Sequence, residues 1–133
     1  MEIDLIINEL DTIHQKANLA FERKDISLYM SQFDDGIQYT NADATVYDRK
    51  ELVYQTEKYF KKTKEISTTH YRLRSSIDGE IVSEKIARKT VVQVKGLVFS
   101  KKQTIQTEEI FQWKNMGGNW KVIAVQVILE EKY

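Results

Sequence analysis

The sequence predicts an α+β fold, and three observations carry that reading. Apolar residues recur at helical spacing through the first third of the chain. The second half is made of β-branched and aromatic runs of strand type. The last third holds two such runs, 103–113 and 119–129, meeting at the turn Lys114-Asn-Met-Gly-Gly118. Gly117 and Gly118 can take the positive φ that a tight hairpin needs.

Taken in order, residues 3–22 read as a helix. Ile3, Ile6, Ile7, Leu10, Ile13, Ala17, Ala20 and Phe21 form one stripe, with acids near its start. Asp25 is placed to cap a short helix over 26–33, with Leu28, Tyr29 and Phe33 on its inner side. Asp34-Asp35-Gly36 ends it. Ile37 to Thr40 and Thr45 to Tyr47 are short strands around the turn at Asn41 to Ala44. Asp48 caps a third helix, 49–63, whose lysine-rich last turn suits the helix dipole. Ser67 to Ile77 alternates, with Thr69, Tyr71, Leu73 and Ile77 on the face expected inside and His70, Arg72 and Arg74 on the other. Asp78-Gly79 is a turn, Ile86 to Phe99 a long strand, and Ser100 to Lys102 a second turn.

The 133 residues suit one domain, 1–133, large enough for a core of its own. With no cysteine, disulfides and thiolate metal sites are excluded. His14 and His70 are the only histidines, so no metal site is expected, and without a phosphate-binding glycine loop no cofactor is expected either. The start, Met-Glu-Ile-Asp, is acidic, unlike a secretory signal, and no long uncharged apolar run follows. A cytoplasmic location and no membrane partner are therefore expected. Net charge is zero but segregated: residues 1–48 hold ten acids and three bases, residues 49–102 six acids and fourteen bases. That pattern suits acidic helices against a basic sheet edge, or two copies paired head to tail. A basic surface for an anionic ligand or nucleic acid is the competing reading. The lysines lack the aromatic interleaving of single-strand binders, so nucleic acid is not expected.

The last strand is apolar on both sides. Trp120, Val122, Ala124, Gln126 and Ile128 share one parity; Ile123, Val125, Val127 and Leu129 share the other. An antiparallel sheet with one wet face alternates apolar with polar. A homodimer is therefore expected, built on the sheet face carrying Val125 and Val127.

The order of these pieces resembles the nuclear transport factor 2-like superfamily, in particular its SnoaL-like and ketosteroid-isomerase-like branch. The residues that carry the resemblance are Lys24-Asp25, Phe33-Asp34-Asp35, Asp48-Arg-Lys-Glu-Leu52 and Trp113-Lys-Asn-Met-Gly-Gly-Asn-Trp120-Lys-Val. It implies a cone: three N-terminal helices packed on a curved, mainly antiparallel sheet that encloses a pocket. It also implies a small, largely apolar ligand and cofactor-free isomerisation, dehydration or cyclisation. The Trp-to-Trp hairpin is also similar to that of the kinase association domain, which implies a non-catalytic oligomerisation or interaction domain as the alternative. In ketosteroid isomerases the base and the oxyanion donor are Asp and Tyr; the matching positions here are Asn41 and Ala17. An amide is no general base and an alanine no donor, so that activity is not expected.

Five residues remain as candidates for a site. Glu109 shares parity with Ile105, Phe111 and Trp113, so its carboxyl is expected inside, as an acid or base, paired with a lysine or arginine such as Lys89, or at the pocket rim. Tyr39 and Tyr71 face inward by parity, with hydroxyls that need partners. Asn41 and Gln126 complete the expected ligand contacts; Gln126 is a polar group on an apolar strand. His14 borders the helix stripe and is expected to be a structural histidine, and His70 is expected on the outer surface.

Overall fold

The computed structural model describes residues 2–133, and the side chains of 3–133. Three helices precede most of the sheet: α1 (Glu2–Glu22), α2 (Ile26–Met30) and α3 (Arg49–Lys62). The strands are β1 (Phe33–Thr40), β2 (Val46–Tyr47), β3 (Thr63–Asp78), β4 (Ile81–Val94), β5 (Lys101–Met116) and β6 (Asn119–Lys132). They form one sheet in the order β2-β1-β6-β5-β4-β3. Only β1 and β6 run parallel; the other pairings are antiparallel.

Local chemistry sets the helix ends. Lys24 takes the left-handed conformation (φ 58°) that stops α1. It holds this conformation without glycine's freedom, and its ammonium group donates to the Thr63 and Lys64 carbonyls. Asp25 then caps α2 by accepting from Leu28 N at 3.1 Å. Asp48 caps α3 in the same way, accepting from Glu51 N at 2.8 Å. The second helix is shorter than the sequence suggests. It stops at Met30, and Phe33 already belongs to β1. Asp34-Asp35-Gly36 is a kink inside that strand rather than its boundary, with Gly36 N donating to Asp34 Oδ2 at 2.9 Å.

Strand boundaries shift too. The run expected to continue to Phe99 ends at Val94, and β4 starts earlier, at Ile81. The β5–β6 turn falls at Gly117 (φ 63°) and Gly118 (φ 97°), the two residues in it free of a Cβ clash there. Residues left over in the pairing mark bulges in β3 and β6. Each bulge bends its strand and turns the following side chains to the other face.

Those bulges decide what is inside. The pairing passes from Gln112↔Ala124 to Trp113↔Val122, so Ile123 is the extra residue. Val122, Val125 and Val127 therefore all point into the fold, each under a tenth exposed. This corrects the assignment of Val125 and Val127 to an outer, dimer-forming face. Val122 and Val125 pack in one core with Leu10, Phe33, Ile37, Val82, Ile86, Phe111 and Trp113. A second cluster, Phe60, Ile66 and Val92, sits under the end of α3 with Phe21 against it.

Candidate functional site

A cavity of about 250 Å³ opens between α1, α2 and α3 on one side and the inner face of β4 and β5 on the other. Its walls are aromatic: Phe21, Tyr29, Tyr39, Tyr47, Tyr59 and Phe111. Its polar groups converge from several elements, Asn18 from α1, Arg88 from β4, and Thr107 and Glu109 from β5.

Strand alternation places the pair at its base. Arg88 and Glu109 both fall on inward positions of neighbouring strands, where Ile86 and Phe111 are also buried. Arg88 Nε donates to Glu109 Oε1 at 3.1 Å. Thr107 Oγ1 donates to the other carboxylate oxygen at 2.6 Å. The side chains are 18% and 7% exposed, so the pair is largely out of water. Burial opposes the charge on Arg88, but the Glu109 carboxylate outweighs it and raises the guanidinium pKa. Burial first, then the Glu109 charge, pushes the Tyr39 hydroxyl well up; burial likewise lifts Tyr29 to about 12. Both phenols stay protonated and can donate at neutral pH.

A second polar group lies behind the first. Arg88 Nη1 donates to Asn18 Oδ1 at 2.8 Å, and Asn18 Nδ2 donates to His70 Nδ1 at 2.9 Å. His70 packs on His14, with ring centroids 4.7 Å apart. His14 Nε2 donates to Glu84 Oε1 at 2.8 Å, and Trp113 Nε1 donates to the same oxygen at 2.7 Å. Arg72 Nε donates to Glu84 Oε2 at 2.7 Å and also reaches Asp11. Burial opposes the Glu84 charge, but His14 and then Arg72 outweigh it and lower its pKa. Burial, then His14 and Arg88, lowers His70 to about 4. Among the described residues no buried side-chain polar atom lacks a partner. No group of three metal-ligating side chains comes together among them.

Of the sequence candidates, Glu109, Tyr39 and Asn41 line the cavity. Tyr71 does not. It is 66% exposed and pairs with Ala87 on the outer face. Apolar character misled here, because the inner face of β3 carries Thr68, His70 and Arg72, whose polar partners reach them from α1 and β4. His70 correspondingly lies inside, not on the surface. Gln126 is also corrected. The bulge at Ile123 turns it outward, where it is exposed opposite Ile110. His14 is buried, as a structural histidine would be, but bonded to a carboxylate. The cation on Glu109 is Arg88, not Lys89. The sequence carries the signal for it: Arg88 shares parity with Ile86 and Val92, which the core claims.

No family model matches the chain, and no curated protein matches its sequence. Solved structures do match it in fold. A conserved protein from Planctomyces limnophilus is 10% identical with a TM-score of 0.86, all of both chains being covered. A proposed scytalone dehydratase from Novosphingobium aromaticivorans is 7% identical with a TM-score of 0.84, covering 97% of this chain and 88% of that one. A hexachlorocyclohexane dehydrochlorinase of the LinA type is 10% identical with a TM-score of 0.79, covering 100% and 93%. At these identities the likeness is one of fold. The fold is the one that the resemblance to nuclear transport factor 2-like proteins implies. No helix among the described residues is long and apolar enough to cross a membrane.

Proposed function

We propose that the helices and sheet close as a cone around the cavity, and that the cavity binds a small molecule with an apolar body and an oxygen-bearing end. The observation that carries this is the Arg88–Glu109 pair set at the base of an aromatic-walled cavity. Pockets of this composition bind ligands by enclosing the apolar part and orienting it with few polar groups. A non-catalytic interaction domain has no use for such a base, so the cavity favours the ligand-binding reading over the oligomeriser.

In this reading the chemistry is a proton transfer without a cofactor. The Glu109 carboxylate takes a proton from carbon beside a carbonyl. The released electron pair moves to the carbonyl oxygen, where Arg88 and a Tyr39 or Tyr29 hydroxyl stabilise the oxyanion. Returning the proton to another carbon completes an isomerisation. Expelling hydroxide or another leaving group from the adjacent carbon completes an elimination. The dehydratase and dehydrochlorinase with this fold bear names of eliminations, which supports the second outcome.

The test is mass spectrometry of whatever small molecule co-purifies, followed by its incubation with the protein in deuterium oxide. The expected result is deuterium entering one carbon with wild type and not with Glu109→Gln, which still binds. Equal exchange by both proteins removes Glu109 from the role of base.

A homodimer through the outer sheet face also belongs to this proposal, with changed residues. Exposed Tyr71, Leu73 and Leu129 supply that face, since Val125 and Val127 are spent in the core. Sedimentation at micromolar concentration is expected to give a dimer that Tyr71→Lys weakens.

A further inference from the structure

The β4–β5 connection, Lys95-Gly-Leu-Val-Phe-Ser100, is the most exposed apolar feature of the molecule. Leu97, Val98 and Phe99 are 106%, 81% and 82% exposed, three consecutive large apolar side chains standing free of the fold. Isolated exposed apolar residues are ordinary, but a contiguous group marks a contact surface.

The loop has a defined shape. A Cβ on Gly96 would lie 2.2 Å from the Phe99 carbonyl oxygen, so the chain folds back on itself as only glycine allows. Ser100 Oγ donates to Gln93 Oε1 at 2.9 Å, and Lys95 N donates to the Lys62 carbonyl at 2.9 Å, tying the base of the loop to β4 and to the end of α3. The apolar side chains are thus presented at a fixed tip.

Around that tip the charge has one sign. Residues 61–65 and 95–102 hold Lys61, Lys62, Lys64, Lys95, Lys101 and Lys102 against a single acid, Glu65. All six lysines are exposed. The lysine ion pairs among the described residues involve Lys85, Lys114 and Lys132, none of these six. An apolar tip inside a ring of unpaired lysines is complementary to one surface above others. That surface has negative headgroups over hydrocarbon. A protein groove would have to supply an acidic rim around an apolar hole of matching shape.

We propose that this end of the molecule docks on an anionic lipid bilayer, with Leu97, Val98 and Phe99 entering the headgroup–acyl boundary and the lysines meeting the headgroups. The expectation of no membrane partner came from the lack of a spanning segment, and peripheral docking needs none. Tyr59 and Ile105, both on the cavity wall, lie within a few residues of Lys61 and Lys101, so docking brings that side of the cavity toward the bilayer.

The experiment is sedimentation of the full chain with vesicles of phosphatidylcholine alone and of equimolar phosphatidylcholine and phosphatidylserine. Binding is expected only to the second, and weaker at high salt. Lys101→Gln with Lys102→Gln is expected to weaken it roughly thirtyfold, at about fivefold for each lysine near an anionic surface. Leu97→Ser, Val98→Ser and Phe99→Ser together are expected to abolish it while leaving the thermal midpoint unchanged. Because the chain has no cysteine, Val98→Cys gives a single labelling site. An environment-sensitive fluorophore there is expected to shift to the blue on the anionic vesicles. The proposal fails if wild type ignores those vesicles, or if the triple serine variant binds them as well as wild type. It also fails if the serine variant instead loses self-association, which would make the tip a contact between copies of this chain.

Discussion

Arg88 Nε lies 3.1 Å from Glu109 Oε1, across adjacent strands at the base of the cavity. Neither group is stable there without the other. Removing one partner of a buried ion pair leaves an uncompensated charge, at a cost of about 3–5 kcal/mol. Arg88→Met is expected to lose stability in that range in urea denaturation. Glu109→Gln, which keeps an acceptor for Arg88, is expected to lose about 1–3 kcal/mol. The double variant is expected to be more stable than the two single losses imply.

His70 makes folding depend on pH. Burial, His14 and Arg88 hold it neutral down to about pH 4, from an ordinary value of 6.5. Below 6.5 the unfolded chain takes up a proton that folded His70 refuses, so stability falls with pH across that window and levels off near 4. Protonated His70 would also put an N–H against the Asn18 amide that now donates to it, loosening the hold of Asn18 on Arg88. His70→Asn is expected to flatten the loss of stability between pH 6.5 and 5, measured by thermal unfolding. An unchanged slope would place the titration elsewhere.

Val125 is 1% exposed in the core. Val125→Lys is therefore expected to unfold the chain rather than to separate subunits. Val125→Ala is expected to cost about 2 kcal/mol, from two lost methyl groups and a small cavity. A folded, monomeric Val125→Lys protein in circular dichroism and sedimentation would restore Val125 to an outer face.

Much of this arrangement was legible in the residues. The helix caps Asp25 and Asp48 were read from side chains that can bond only nearby backbone. Glu109 was placed inside by alternation, which holds because β5 has no extra residue between Ile105 and Trp113. Parity failed where a strand bulges. The extra residue at Ile123 cannot be counted from β6 alone, since it appears only in pairing with β5. Apolar character failed on β3, where the inner face is polar because His14 and Asn18 reach it from α1, far away in sequence, and Glu84 pairs with it from the neighbouring strand β4. Arg88 was missed for the related reason that a cation is not expected inside until its carboxylate is known to lie beside it.

The central claim is that the cavity above Arg88 and Glu109 takes a small molecule. It is tested most directly by 15N–1H NMR with a panel of small aromatic acids and cyclic ketones, following the Arg88 Nε–H and Thr107 amide signals. Ala17, on the cavity wall and 6% exposed, gives the control, since Ala17→Phe fills the space. The account predicts saturable shifts of both signals with at least one compound, lost in Ala17→Phe. Shifts that survive Ala17→Phe, or a panel that moves neither signal, would contradict it.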